Sequence, residues 1–260
     1  SFMELYSLVT GLIGMRGRRG ALMLNLDCNH PDIEDFINVK NDLSKVRFAN
    51  ISVNVTNEFM EAVVEDKEYE LYFYVEATGE EIRRRIRARD LFRKIAKNNW
   101  NMAEPGMLFI DRINSWHLMS EDDTFEFAGV NPCAEETLPP FGSCNLSSIN
   151  LSEFVKNPFT DKAEFDYARF KEMAREGVIF LNEVLDENMN FHPLPQQREM
   201  ARELRQIGLG LMGVADMFIK MGIRYGSQES LDLIHKIGRV LVNEALRQSA
   251  LLAKEHGPFP

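Results

Sequence analysis

The sequence predicts an α/β fold with a helix-rich C-terminal third. Two patterns carry that expectation. Over residues 1–115 short apolar runs alternate with stretches of helical spacing, and from Ala163 onward the spacing is mostly helical. Taken in order, "FMELYSLVTGL" has helical spacing and stops at Gly11. A glycine and arginine loop over 14–19 follows, then "ALMLNL", an apolar run short enough for a buried strand. "NHPDIEDFINVK" opens a helix: Pro31 suits its first position, and Asp32, Glu34 and Asp35 suit the positive end of the helix dipole. "FANISVNV" is the next strand, after which Thr56 or Asn57 caps a helix through "EFMEAVVED". The aromatic "YELYFYVE" reads as strand, whereas "EEIRRRIRARD" mixes charges and reads as a solvated face. "ARDLFRKIAKNNW" is an amphipathic helix, and "GMLFI" after Pro105-Gly106 is a short strand.

Residues 131–150 carry Pro, Gly, Ser and Asn and are expected to be loop for much of their length. Helices are then expected over 163–187, 195–205 and 227–255, with "IGLGLMGVADMFIKMG" between the last two. No internal repeat, low-complexity segment or linker divides the chain, so 1–260 reads as a single domain. The chain starts at Ser1 without Met and stops at "EHGPFP", so both ends are expected to be cut.

Composition removes several function classes. A net charge of −10 without a long basic tract argues against binding a duplex or a phosphate backbone, and any anionic ligand needs a local cationic cluster. "GMRGRRGA", with Arg16, Arg18 and Arg19 among glycines, is that cluster. Three cysteines (Cys28, Cys133, Cys144) make no disulfide scaffold, and the odd count fits a reducing, cytoplasmic compartment. No window approaches eighteen uninterrupted apolar residues, and no basic segment leads an apolar run at the N-terminus, so neither a membrane span nor a secretory signal is expected.

The sites that carry chemistry are few. Metal is not expected: Cys28 lies beside His30, the other two cysteines are far apart, and CxxC, HExxH and His-x-His are all missing. "GLGLMG" at 208–213 matches G-x-G-x-x-G. A dinucleotide site needs a strand before it, yet "MARELRQI" reads as helix, so Gly208, Gly210 and Gly213 are read as aids to a backbone turn and close helix packing.

"NPCAEETLPPFGSCNLSSIN" is the most informative stretch. If 131–135 is extended, Asn131, Cys133 and Glu135 point to one side, because side chains alternate along an extended chain. A carboxylate beside a thiol disfavours the thiolate, so this row suits hydrogen-atom chemistry better than nucleophilic attack. Cys133 as a small buried hydrophobe in a loop is the plain alternative. Cys144 is either a second core cysteine or a thiol that gives up electrons by forming a disulfide.

"NPCAEETLPPFGSCNLSSINL" resembles the radical-cysteine loop of the ribonucleotide reductase large (catalytic) subunit. "GRRGALMLNLDCNHPDIEDFI", "NISVNVTNEFMEAV", "AEPGMLFIDRIN" and "RQIGLGLMGVADMFIKMGIRYGS" resemble the same family in the same order, so the resemblance covers essentially the whole chain. It implies part of a ten-stranded α/β barrel with a finger loop threaded into its centre. At the tip of that loop the match to Cys133 becomes a thiyl radical that removes the 3′ hydrogen of a ribonucleotide. The match to Glu135 deprotonates the 3′ hydroxyl, and the match to Asn131 hydrogen-bonds the ribose hydroxyls. Cys144 matches one of two cysteines that reduce the 2′ position and end as a disulfide.

In the family the partner cysteine lies upstream of "SFM", and the segment that binds the substrate phosphates lies beyond Pro260, so this chain alone is expected to be inactive. Gly14, Met15, Arg16, Gly17, Arg18 and Arg19 match the loop that links a bound allosteric deoxynucleotide to substrate choice, with Arg18 the best candidate for a base or phosphate contact. Cys28 falls where the family has no redox cysteine and is read as structural. "NPC" rather than "NLC" before the radical cysteine resembles the adenosylcobalamin-dependent class. A class I subunit that borrows its radical from a metal-bearing partner, and a non-catalytic nucleotide-binding domain, are the alternatives. The partners implied are a ribonucleotide substrate, deoxynucleotide or ATP effectors, a thioredoxin-type reductant and a second copy in a homodimer.

Overall fold

A computed structural model of the chain describes residues 1–13, 20–117, 119, 122 and 125–259. The chain divides into two compact units, Ser1–Pro140 and Phe141–Pro260, each with its own apolar core.

The first unit opens with α1 (Phe2–Leu12), started by a reciprocal cap: the Ser1 hydroxyl accepts from the Glu4 N–H, and the Glu4 carboxylate takes the terminal amino group. Then come β1 (Met23–Asp27), α2 (Ile33–Asn38), β2 (Asn50–Val55), α3 (Asn57–Glu65), β3 (Glu68–Val75), β4 (Glu80–Arg87), α4 (Ala88–Met102), β5 (Gly106–Phe109) and α5 (Ile110–Ser115). Two-residue strands β6 (Gly129–Val130) and β7 (Thr137–Leu138) close the unit. β1, β2 and β5 form a parallel sheet in the order β1-β2-β5, with Asn25 opposite Ser52 and Ser52 opposite Gly106.

Because side chains alternate along a strand, this sheet has two unlike faces. Leu24, Leu26, Ile51, Val53 and Val55 pack into the core with Ile33 of α2, Phe59 of α3, and Leu91 and Ile95 of α4. Asn25, Asp27, Asn50, Ser52 and Asn54 occupy the other face, where Asn54 Nδ2 donates to Asp27 Oδ1 at 2.9 Å. Parallel strands covered on both sides usually read as unbroken apolar runs, so this polar set marks a face that is not packed on the core.

The second unit contains β8 (Asn145–Asn150), an antiparallel pair β9 (Val155–Lys156) and β10 (Glu164–Phe165), α6 (Tyr167–Asn188), α7 (Pro195–Leu204), β11 (Ile207–Met212), α8 (Val214–Met221) and α9 (Gln228–His256). β8 and β11 pair in parallel. Fully buried Phe170 of α6 anchors the core, its ring 5.5 Å from Phe154 and 5.3 Å from Phe165. Among the described residues the strands make one three-stranded and four two-stranded sheets, none closed into a barrel. No helix among them is long and apolar enough to cross a membrane.

Several expectations are corrected. "EEIRRRIRARD" is more than a solvated face: residues 80–87 are β4, exposed but paired with β3, Arg85 and Arg87 lying opposite Glu70 and Glu68 and Arg83 reaching diagonally to Glu70 at 2.7 Å. Pro31 lies before the cap of α2, which starts after Asp32, and the Asp32 N–H is held by His30 Nδ1 at 3.0 Å. The helix expected from 163 starts only at Tyr167, because 164–165 is the strand β10 and the Asp166 side chain caps α6 by accepting from the Arg169 N–H. α5 was not foreseen.

Thr56 does cap α3, its hydroxyl accepting the Phe59 N–H at 3.1 Å. Thr56→Ala is expected to lower stability by about 1 kcal/mol, read as a shift of the urea midpoint.

Candidate active site

Strands β6 and β7 carry a loop, 131–136, that holds the three residues singled out in the sequence. Val130 faces Thr137 and Gly129 faces Leu138. Past the strands, the Asn131 N–H donates to Glu136 O at 3.2 Å, and the Asn131 side-chain Oδ1 accepts the Glu136 N–H at 3.0 Å. The Ala134 N–H then donates to Asn131 O at 2.9 Å, closing a four-residue turn with Pro132 in second place and Cys133 in third.

This overturns the extended row. Residues 131–135 turn instead of running straight, because proline presets the backbone for the second position of a turn and asparagine's short side chain captures a backbone N–H. The Asn-Pro pair was the signal that could have found it. Ala134 takes a left-handed φ of 63°, a conformation that costs a non-glycine residue roughly 1–2 kcal/mol and that the loop's three hydrogen bonds hold in place.

At the corner of this turn Cys133 is exposed, as is Glu135, so the reading of Cys133 as a buried hydrophobe fails. Asn131 has its Oδ1 committed to Glu136, which leaves Nδ2 as the side chain's remaining donor.

The stem is fixed from below. A Cβ on Gly129 would lie 3.0 Å from Asn25 Nδ2, so β6 passes closely over the polar face of the β1-β2-β5 sheet, and glycine permits that approach. The Phe127 N–H donates to Asn114 Oδ1 of α5 at 3.3 Å, and the rings of His117, Phe125 and Phe127 stand 4.9–5.1 Å apart. Beside the stem lies an open, mostly apolar cleft of about 510 Å³, walled by Met107, Phe109, Arg112, Trp116 and Phe127.

Cys144 belongs to the second unit, immediately before β8. Residues 145–150 are a strand, where loop was expected, because β11 supplies a parallel partner that overrides the weak strand preference of serine and asparagine. Cys144 is half-buried with Sγ 3.7 Å from Asn145 O, and it borders a cleft of about 270 Å³ together with Asn145, Leu185, Asn188 and His192. Asn145 Nδ2 is fixed on Leu181 O at 3.0 Å. His192 and Asn188 were not picked out from the sequence, and nothing in their spacing marked them.

The glycine run 208–213 is also clarified. "MARELRQI" ends its helix at Leu204, and Gly208 and Gly210 lie within β11 itself and not in a loop that could cradle a phosphate. Gly213 follows with φ 68°, and a Cβ there would fall 2.1 Å from Asn150 Oδ1, so close packing is its role.

Cys28 sits in the first core, its Sγ 3.6 Å from Tyr69 OH. Burial pushes both the thiol and the phenol up from their ordinary values, so Cys28 stays a neutral thiol. Gly14, Met15, Arg16, Gly17, Arg18 and Arg19 lie outside the described residues. Among the described residues no three metal-ligating side chains cluster.

The family model described as ribonucleotide reductase, barrel domain, matches residues 1–260. The chain is 38% identical over 262 residues to a vitamin B12-dependent ribonucleoside-diphosphate reductase of Thermoplasma acidophilum, covering 100% of this chain and 33% of that protein. A protein of the same description from Mycobacterium tuberculosis is 37% identical, over 100% of this chain and 36% of its own length. A vitamin B12-dependent ribonucleotide reductase of Streptomyces coelicolor is 33% identical over 286 residues, again 100% of this chain and 29% of that protein. The chain thus spans about a third of the length of these curated relatives. With its full length matched, the chain belongs to the ribonucleotide reductase barrel-domain family.

Proposed function

We propose that this chain is the radical-bearing part of the catalytic subunit of an adenosylcobalamin-dependent ribonucleoside-diphosphate reductase. The observation that carries the reading is the turn at 131–136, which presents an exposed thiol and an exposed carboxylate on a stem locked by Asn131. In this reading Cys133, as a thiyl radical, takes the 3′ hydrogen atom, S–H forming as C–H breaks. Glu135 accepts the proton of the 3′ hydroxyl, and Asn131 donates from Nδ2 to the ribose hydroxyls. Cys144 supplies one of two reducing thiols: the 2′ hydroxyl leaves as water, and Cys144 ends in a disulfide that a thioredoxin-type dithiol reduces again. The exposed position of Cys133 fits a radical source approaching from outside the turn. Adenosylcobalamin, when bound, supplies that radical. The B12-dependent relatives favour this source over a separate metal-bearing subunit.

The same reading takes both units as parts of one ten-stranded barrel domain with the 131–136 hairpin as its finger. Residues 14–19, with Arg18 foremost, are the loop through which deoxynucleotide or ATP effectors set substrate choice. The working protein is a cytoplasmic homodimer, a state supported by the exposed Phe2, Leu5, Leu8 and Leu12 of α1.

The test uses a full-length reductase carrying this chain, kept anaerobic with a dithiol and a ribonucleoside diphosphate. Deoxynucleotide is expected only when adenosylcobalamin is added. A requirement for a metal-containing second subunit would overturn the cofactor, and no product under either condition would overturn the reading.

A further inference from the structure

We propose that Asn25 is a positioning residue for Cys133: its carboxamide is the stop that sets how closely the hairpin stem lies on the β1-β2-β5 sheet. Residues 125–129 alternate, with Phe125, Phe127 and Gly129 half-buried and Glu126 and Ala128 exposed. The rings at the first two inward positions pack on each other at 5.1 Å and on the His117 ring. The third inward position has no side chain. There the stem meets Asn25, whose Nδ2 stands 3.0 Å from where a Cβ on Gly129 would be.

Asn25 is itself fixed. Its backbone lies in the β1 ladder opposite Ser52 of β2. Its Oδ1 is out of reach of water and has no hydrogen-bond partner among the described residues. A buried acceptor without a donor costs stability, so this oxygen does not hold the sheet together. The side chain supplies a shape beneath Gly129 instead.

The stem is tied on its other sides as well. The Phe127 N–H donates to Asn114 Oδ1 at 3.3 Å, and the Ala128 N–H donates to Leu138 O at 2.9 Å. Beyond Gly129 come one more ladder position, Val130 opposite Thr137, and the turn that carries Cys133, which is closed by its own hydrogen bonds. A shift at Gly129 is therefore passed on to the tip. Added bulk at 129 lifts Cys133 from the sheet, and a missing amide at 25 lets it sink.

The proposal rests on the role given above to Cys133. Hydrogen-atom transfer needs the sulfur in contact with the 3′ hydrogen, and a misplacement of about 1 Å costs roughly 100-fold in rate.

The test is a suppression experiment in a full-length reductase carrying this chain. Gly129→Ala is expected to lower kcat about 10- to 100-fold with KM for the ribonucleoside diphosphate within about twofold, because the turn is displaced and substrate binding is not. Asn25→Ala is expected to lower kcat about fivefold by removing the stop. In the double variant Asn25→Ala, Gly129→Ala the new methyl takes space that the amide leaves, and kcat is expected to recover to within about threefold of the wild type. Hydrogen exchange over residues 125–138 reads the stem without turnover: about tenfold faster in Gly129→Ala, and recovered in the double variant.

Gly129→Ala with wild-type kcat and exchange, or a double variant no better than the worse single one, would overturn the role of Asn25. If Gly129→Ala fails to fold, the double variant still decides, since relief of the contact predicts that it folds. Exchange that rises and recovers in a reductase whose wild type makes no deoxynucleotide would support Asn25 as the stop and overturn the function proposed for Cys133, so the two failures are distinguishable.

Discussion

Cys133→Ser in a full-length reductase carrying this chain is expected to stop deoxynucleotide formation, a loss of at least about four orders of magnitude, or about 5 kcal/mol in the barrier. Serine preserves the size and polarity of the side chain but not its chemistry, because a hydroxyl gives up a hydrogen atom far less readily than a thiol. The substitution should leave the fold alone. Cys133 occupies the third position of the turn, the turn is closed by Ala134 and Asn131 backbone groups, and the side chain is exposed. Exposed substitutions away from caps and buried partners usually fall within about 0.5 kcal/mol. The check is therefore twofold: no product by chromatography, with ribonucleotide binding and the urea midpoint close to those of the wild type. Residual turnover above about one part in ten thousand would move the radical to another residue.

How much of this was legible depends on which physical signal the residues carried. The apolar runs at 21–26, 48–55, 69–76 and 106–110 appear as β1, β2, β3 and β5 within a residue or two, because their aliphatic and aromatic side chains report burial directly. β4, β8 and β11 were missed. They are rich in arginine, in serine and asparagine, and in glycine, and each is a strand because a distant partner offers its backbone groups a ladder. That information lies in the fold and not in the segment.

At the site the residue types were legible and the geometry was not. Asn131, Cys133 and Glu135 do share one short loop, but the alternation used to align them assumed an extended chain. The Asn-Pro pair instead makes a turn, and the amide that was expected to face substrate spends its oxygen on the loop itself. His192 borders the Cys144 cleft from the chain just past the end of α6, a meeting that spacing along the chain cannot reveal.

Lys40 was equally silent, since a lysine at the end of a helical stretch reads as solvent-facing. Its side chain is only 11% exposed, and its ammonium group donates to Val46 O at 2.8 Å and to Ala49 O. It also pairs with Glu104 Oε2 at 3.1 Å. The other oxygen of Glu104 accepts Asn50 Nδ2 and the Ile51 N–H, each at 3.1 Å. One buried ion pair thus ties the segment after α2, the start of β2 and the approach to β5, which together support the sheet over which β6 passes.

Lys40→Met is expected to lower stability by about 3–5 kcal/mol, because it strands a carboxylate with little access to water and leaves two carbonyls without their donor. Glu104→Leu should cost a similar amount for the opposite reason, leaving the ammonium unpaired. The double variant Lys40→Met, Glu104→Leu is expected to lie well above the sum of the single losses, since two apolar side chains remove both uncompensated charges at once. Urea unfolding of the wild type, each single variant and the double variant measures the coupling. Losses that simply add would mean that the pair acts as two independent hydrogen-bonding groups, and that the platform beneath the hairpin is held by its apolar face alone.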